Sequence, residues 1–191
     1  MTFVYIVRCK FTEPAKEQAW NAWYSGPKIV QMLAQPYFLT CQRFRRAAGT
    51  GRDYLALWTL ASPEALKTAE YTAQWGFAEW APYITDWSRD LFDARHAPPD
   101  GFAVAPNGAL WVMSFDGMDA AQAQATSKAL AQSERGLIWL PVSGLDRHTP
   151  LIGLQPLAHG ASAALPRSAP SGAMQAAIYR PISDLHRARA A

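Results

Sequence analysis

The first strongly patterned stretch, Thr2 to Cys9, is rich in β-branched and aromatic residues and predicts a strand. Its two alternating sets are Phe3, Tyr5, Val7, Cys9 and Val4, Ile6, Arg8. Both sets are largely apolar, so both faces of that strand should be covered. Thr12-Glu13-Pro14 then signals a helix start, with Thr12 as N-cap and Pro14 in the first turn. Ala15, Ala19, Ala22 and Trp23 form one stripe of this helix, with Trp20 and Tyr24 beside it at i, i+4. Ser25-Gly26-Pro27 is expected to break it, and a short helical piece follows from Lys28 to Ala34. Phe38 to Arg45 and Asp53 to Leu60 read as a β-hairpin across a turn holding Gly49 and Gly51. Ser62-Pro63-Glu64 opens a helix through Tyr71, Trp75 to Trp87 is aromatic and irregular, and Arg89 to Ala94 closes the series as a strand.

The second half repeats this order more weakly. Ala109 to Phe115 is a strand, and Asp119 caps a helix of good formers through Gln132. Leu137 to Val142 and Pro150 to Leu154 are strands about a turn at Gly144–Asp146, and Met174 to Arg180 is the last. Pro156 to Gly172 is dominated by Ala, Ser, Pro and Gly, with room for one short helix, and the tail from His186 to Ala191 is expected to fray. The Pro-Pro, Asp-Gly and Asn-Gly pairs within 97–108 mark a linker. The chain therefore divides into a unit at 1–96, the linker, and a degenerate second unit at 109–191. Each unit has the order β-α-β-β-α-β, the ferredoxin-like pattern. The expected fold class is α+β, with two tandem ferredoxin-like units packed sheet to sheet as an internal pseudo-dimeric barrel and helices outside.

Composition narrows the function. Half of the 191 residues are apolar and 17% are charged, which excludes disorder for the bulk of the chain. A net charge of +3 is too even for a dedicated nucleic-acid binder. No apolar run approaches the length of a membrane span, and no signal peptide is legible, so the cytoplasm is the expected compartment. Cys9 and Cys41 both fall in predicted strands and read as buried free thiols. The two halves differ in one respect. Eighteen of the 23 aromatic residues lie in the first 96 positions, as six Trp, six Tyr and six Phe. An aromatic-lined cavity for a small molecule belongs there.

The first half resembles the EthD-like kind of the dimeric α+β barrel superfamily. The likeness rests on Trp20-Asn21-Ala22-Trp23-Tyr24, Leu33, Pro36-Tyr37-Phe38-Leu39, Tyr54-Leu55-Ala56-Leu57-Trp58 and Ser62-Pro63-Glu64-Ala65-Leu66. Lys28 stands where such proteins typically carry a His, and Tyr37 replaces a Gly. The superfamily includes cofactor-free monooxygenases, isomerases, cyclases, heme enzymes and proteins without known activity, so the fold alone does not carry a function. The resemblance implies a pocket between one sheet and its helices. Trp20, Tyr24 and Lys28 are spaced to line the helix side, with Trp58, Trp75, Trp80 and Tyr83 as further lining residues. Lys28 is a candidate general base or anion clamp, and Tyr24 and Tyr83 are candidate donors to an oxyanion.

No histidine shares a metal-ligand spacing with another histidine or a cysteine, so no metal site is expected. No cofactor is expected either, with a heme on His96 or His148 as the alternative. Asp86 and Arg89 are expected to pair with each other or cap a helix. Arg43, Arg45, Arg46 and Arg52 are expected at a solvated hairpin tip. The reading is a cofactor-free enzyme of oxygenase, isomerase or cyclase type acting on a hydrophobic or aromatic substrate. The alternative is a non-catalytic binding or structural protein. No nucleic-acid or membrane partner is expected, and the particle is read as a monomer with an internal pseudo-dimer or a weak homo-oligomer.

Overall fold

A computed structural model of the chain describes residues 2–98, 100–130, 136–160 and 174–189. Strand β1 (Phe3–Phe11) lies between β3 (Tyr54–Leu60) and β4 (Ile84–Asp93), antiparallel to both. Strand β2 (Phe38–Gly49) pairs with β3, so the first half forms an arc in the order β2-β3-β1-β4. Strands β5 (Ala109–Phe115), β6 (Ile138–Leu145), β7 (Leu151–Leu157) and β8 (Met174–Pro181) form a second arc in the order β6-β7-β5-β8.

The arcs do not stack as two sheets. Strand β4 hydrogen-bonds β6 through Asp90↔Leu145 and Phe92↔Val142, and β2 hydrogen-bonds β8 from Phe44↔Pro181 to Gly49↔Ala177. The eight strands close into one antiparallel β-barrel with few helices, which overturns the expected pair of ferredoxin-like units packed sheet to sheet as an α+β barrel. The physical reason lies at the edges. An open edge leaves a row of unpaired N–H and C=O groups, and closure satisfies them. Strand β2 runs beyond its partner β3 and offers that length to β8. Register shifts at Arg46/Ala48 and Leu91/Phe92 bend the strands where the arcs join. Gly49 ends the seam at φ +85°, where a Cβ would meet the Ala176 carbonyl oxygen at 2.1 Å, so no side chain fits there.

Apolar residues on both faces of β1 have two covers. Val4 and Ile6 face inward and pack with Leu55, Leu57, Phe92, Leu110, Val112 and Ile152 to fill the barrel. Tyr5 and Cys9 face outward beneath the first-half helices. These are α1 (Glu17–Trp23), a π-helical turn (Tyr24–Lys28) and α2 (Ile29–Leu33), which run on from one another, followed by α3 (Ala69–Gln74). The helix expected to break at Ser25-Gly26-Pro27 instead widens there into the π turn. Pro27 has no N–H for the α ladder, and the wider turn accommodates its ring.

The capping details also differ. Thr12 donates its hydroxyl to the Tyr83 carbonyl and caps nothing. Ser62 caps a 3₁₀ turn, Pro63–Lys67, and Thr68 caps α3 by accepting from the Tyr71 N–H. In the second half, α4 (Ala120–Leu130) is capped by Asp119, which accepts from the Ala121 and Gln122 N–H groups at 2.9 Å. The tail does not fray throughout, because β9 (His186–Arg187) pairs with Thr40 and Cys41 of β2. The short helix expected within 156–172 falls largely outside the described residues. No helix among the described residues is long and apolar enough to cross a membrane.

Candidate functional site

The helical rod from α1 to α2 lies against the outward face of β1, β2 and β3. Its π turn buries Tyr24 and Lys28 together, and Met32 follows one turn further on. A narrow cavity, partly open to solvent, separates these side chains from the sheet. Tyr5 and Val7 of β1, Trp58 of β3, and Trp87 and Arg89 of β4 form its floor. Trp75, Gly76 and Phe77 border it after α3. Trp75 and Trp87 are partly exposed, 41% and 42%, with ring centroids 6.3 Å apart. Gly76 between the flanking rings has φ +93°, a conformation that favours glycine.

Lys28 is only 5% exposed. Its Nζ donates to the carbonyl oxygen of Gln74, the last residue of α3. Burial disfavours the ammonium and brings the pKa down to about 8. A substantial neutral fraction therefore exists just above neutrality, as a general base requires. Burial pushes the Tyr24 phenol upward, so it keeps its proton as a donor. Tyr5 is held in the same state by burial, and its hydroxyl lies 3.2 Å from that of Tyr71. Arg89 stacks over Trp75 at 4.0 Å and bonds Asp146 Oδ1 at 3.3 Å through Nε.

Of the residues singled out in the sequence, Lys28, Tyr24, Trp58 and Trp75 line this cavity together. Trp20, Trp80 and Tyr83 do not. Trp20 sits behind Tyr24, stacked on Phe11 at 4.7 Å. Trp80 packs against Phe11 and Trp23, and Tyr83 accepts a bond from Lys16. The sequence reading missed Tyr5, Val7, Met32, Phe77, Trp87 and Arg89. Strand alternation would have found Trp87 and Arg89, which share the outer face of β4 with Leu91, had that strand been started at Ile84.

The hairpin arginines are not all solvated. Arg43 is 2% exposed, with its guanidinium 4.2 Å from the Tyr24 ring centroid and 4.8 Å from that of Trp20. It donates to Asn21 O, Asn21 Oδ1 and Ser25 Oγ, all neutral acceptors. Arg52 is buried in a polar network at one end of the barrel. There Arg52 and Arg8 share Asp116 at 2.6 and 2.9 Å, Arg8 also donates to Ser114, and the His148 N–H donates to Asp90 at 2.6 Å. Burial alone would raise the Asp116 pKa, but the two arginines hold it below the usual carboxylate value. Asp86 pairs with Lys10 and Arg52 rather than with Arg89.

No histidine lines the cavity, and His148 Nε2 is engaged by Arg52 at 2.9 Å. The residues present thus offer no imidazole ligand for a heme there. Among the described residues no group of three His, Cys, Asp or Glu is arranged to hold a metal. Cys9 and Cys41 are free and buried, and burial pushes the Cys9 thiol up to about 12.

The sequence matches no family model and no curated protein sequence. Solved structures do match. An anthrone oxidase-like protein superposes with a TM-score of 0.62 at 11% identity, over 99% of this chain and 94% of its own. A candidate monooxygenase from Fusobacterium nucleatum gives 0.54 at 12% identity, over 97% and 94%. A candidate chlorite dismutase gives 0.50 at 11% identity, over 95% of both chains. These neighbours belong to the dimeric α+β barrel superfamily. At such identities the likeness is one of fold.

Proposed function

We propose that the chain is a cofactor-free oxygenase-type enzyme whose substrate is a fused-ring ketone or phenol with an acidic C–H, of the anthrone class. The observation that carries this reading is Lys28, a buried amine with a depressed pKa facing a cavity walled by rings. The names of two fold neighbours, an anthrone oxidase-like protein and a candidate monooxygenase, support the same chemistry. EthD-like kinship, suggested by the residues of the first half, is compatible with it.

In the proposed reaction, neutral Lys28 Nζ takes a proton from the activated methylene, and the electron pair delocalises onto the ring carbonyl oxygen. Tyr24 donates a hydrogen bond to that oxygen. The carbanion bonds to dioxygen, and protonation gives a hydroperoxide. Loss of the second methylene proton with O–O cleavage leaves a new carbonyl and releases water. Overall, CH₂ and O₂ become C=O and H₂O, so dioxygen is the only oxidant required.

The test is oxygen uptake with anthrone, with the quinone product quantified. The expected result is one O₂ consumed per quinone formed, with the rate reduced about a hundredfold or more in Lys28→Met. Absence of uptake, or uptake unchanged in the folded variant, would overturn the reading.

A further inference from the structure

We infer that the ligand of the first-half cavity is an aromatic anion, bearing a carboxylate or phenolate oxygen in addition to its rings. This rests on the cavity being a small-molecule site and adds the charge of what it takes. Two cationic side chains, Lys28 and Arg89, line the cavity, and among the described residues no carboxylate does. Lys28 donates to a backbone carbonyl and lies 5.9 Å from the Trp23 ring centroid, and among the described residues it has no carboxylate partner. Arg89 uses Nε for Asp146 and Nη1 for the Tyr71 hydroxyl at 3.4 Å, while its Nη2 has no partner among the described residues. Stacking on Trp75 holds that guanidinium in place.

Two further observations point the same way. The Trp58 indole N–H, in a side chain 1% exposed, forms no well-shaped hydrogen bond and lies only near the Tyr24 hydroxyl. Arg43, buried behind the Tyr24 ring and bonded to neutral side-chain and backbone groups, adds positive charge to that side of the cavity. The wall therefore carries positive charge and indole and amine donors, with no carboxylate among the described residues to balance them. A neutral hydrocarbon would leave Arg89 Nη2 and the poorly bonded Trp58 N–H without an acceptor, and a cation would be repelled. An anion with rings satisfies both the charges and the aromatic walls.

The experiment measures binding of naphthoate and naphthamide, which share rings and size but differ in charge, by tryptophan fluorescence and calorimetry at pH 7. Naphthoate should bind about tenfold tighter or better. Arg89→Gln should weaken naphthoate about tenfold and leave naphthamide unchanged. Asp146→Asn, which removes the carboxylate partner of Arg89 and keeps the arginine, should tighten naphthoate about twofold to threefold. It also serves as an independent variant should Arg89→Gln fail to fold. Equal binding of the two probes, or a preference untouched by Asp146→Asn and by folded Arg89→Gln, overturns the charge inference and leaves the oxidation standing. Binding of neither probe at millimolar concentration overturns the small-molecule site itself.

Discussion

The two outer faces of the barrel are built on arcs with the same strand order but carry different covers. Over the first arc, the rod from α1 to α2 and the residues after α3 press Lys28 against a wall of rings. Over the second arc, Trp111, Met113, Phe115, Leu151 and Met174 pack beneath α4, whose buried contacts are Ala123 and Ser127. A groove there is lined by Gln124, Lys128, Trp139 and Pro141, and its lysine is exposed. The lesson is that the strands set the scaffold, whereas chemistry depends on whether a cover desolvates a titratable group.

The comparison depends on a shared scaffold, and the largest expected effect lies there. Asp116 on the second half serves Arg8 and Arg52 of the first, all three nearly buried. Asp116→Ala removes the carboxylate that two buried arginines share, leaving Arg8 only the longer contact to Asp90 and Arg52 the half-exposed Asp86, and should cost about 3 kcal/mol in urea unfolding. The pH sign follows from the same contacts. The folded pKa lies below the unfolded value of 3.8, so the stabilisation is complete above 3.8 and is lost as pH falls through the folded value. If Asp116→Ala unfolds at the wild-type urea concentration, the network does not tie the arcs together.

Within the first face, Tyr24→Phe removes one hydroxyl and keeps the ring on Arg43. Turnover should fall about tenfold to a hundredfold with the fold retained, read by steady-state kinetics beside a thermal melt. Full activity in that variant would remove Tyr24 from the chemistry. On the second face, Lys128→Met should change turnover by no more than about twofold, as for an ordinary surface site. A large loss there would erase the distinction between the faces.

Much of this was legible in the chain. The apolar content of both faces of β1 required two covers, and the concentration of rings in the first half located the cavity. Trp20, Tyr24 and Lys28 do share one side of the helix, yet Trp20 ends in a deeper layer because the cavity begins only at the π turn. A barrel within one chain was expected, but the edge-to-edge pairing of β4 with β6 and of β2 with β8 was not legible, because it depends on long-range register rather than on local pattern. The burial of Arg43 and Arg52 was hidden for a related reason. Charge alone suggests a solvated turn, and only the assembled barrel supplies Asp116 to one and aromatic faces to the other.

The most direct test of the central claim is the pH dependence of kcat/KM for the proposed oxidation, measured on wild type and Lys28→Met side by side. If Lys28 is the base, the wild-type value rises with pH through a midpoint near 8, where the amine loses its proton, and the variant shows a low, flat profile. A wild-type profile without that rise, or the same rise in Lys28→Met, would contradict the account.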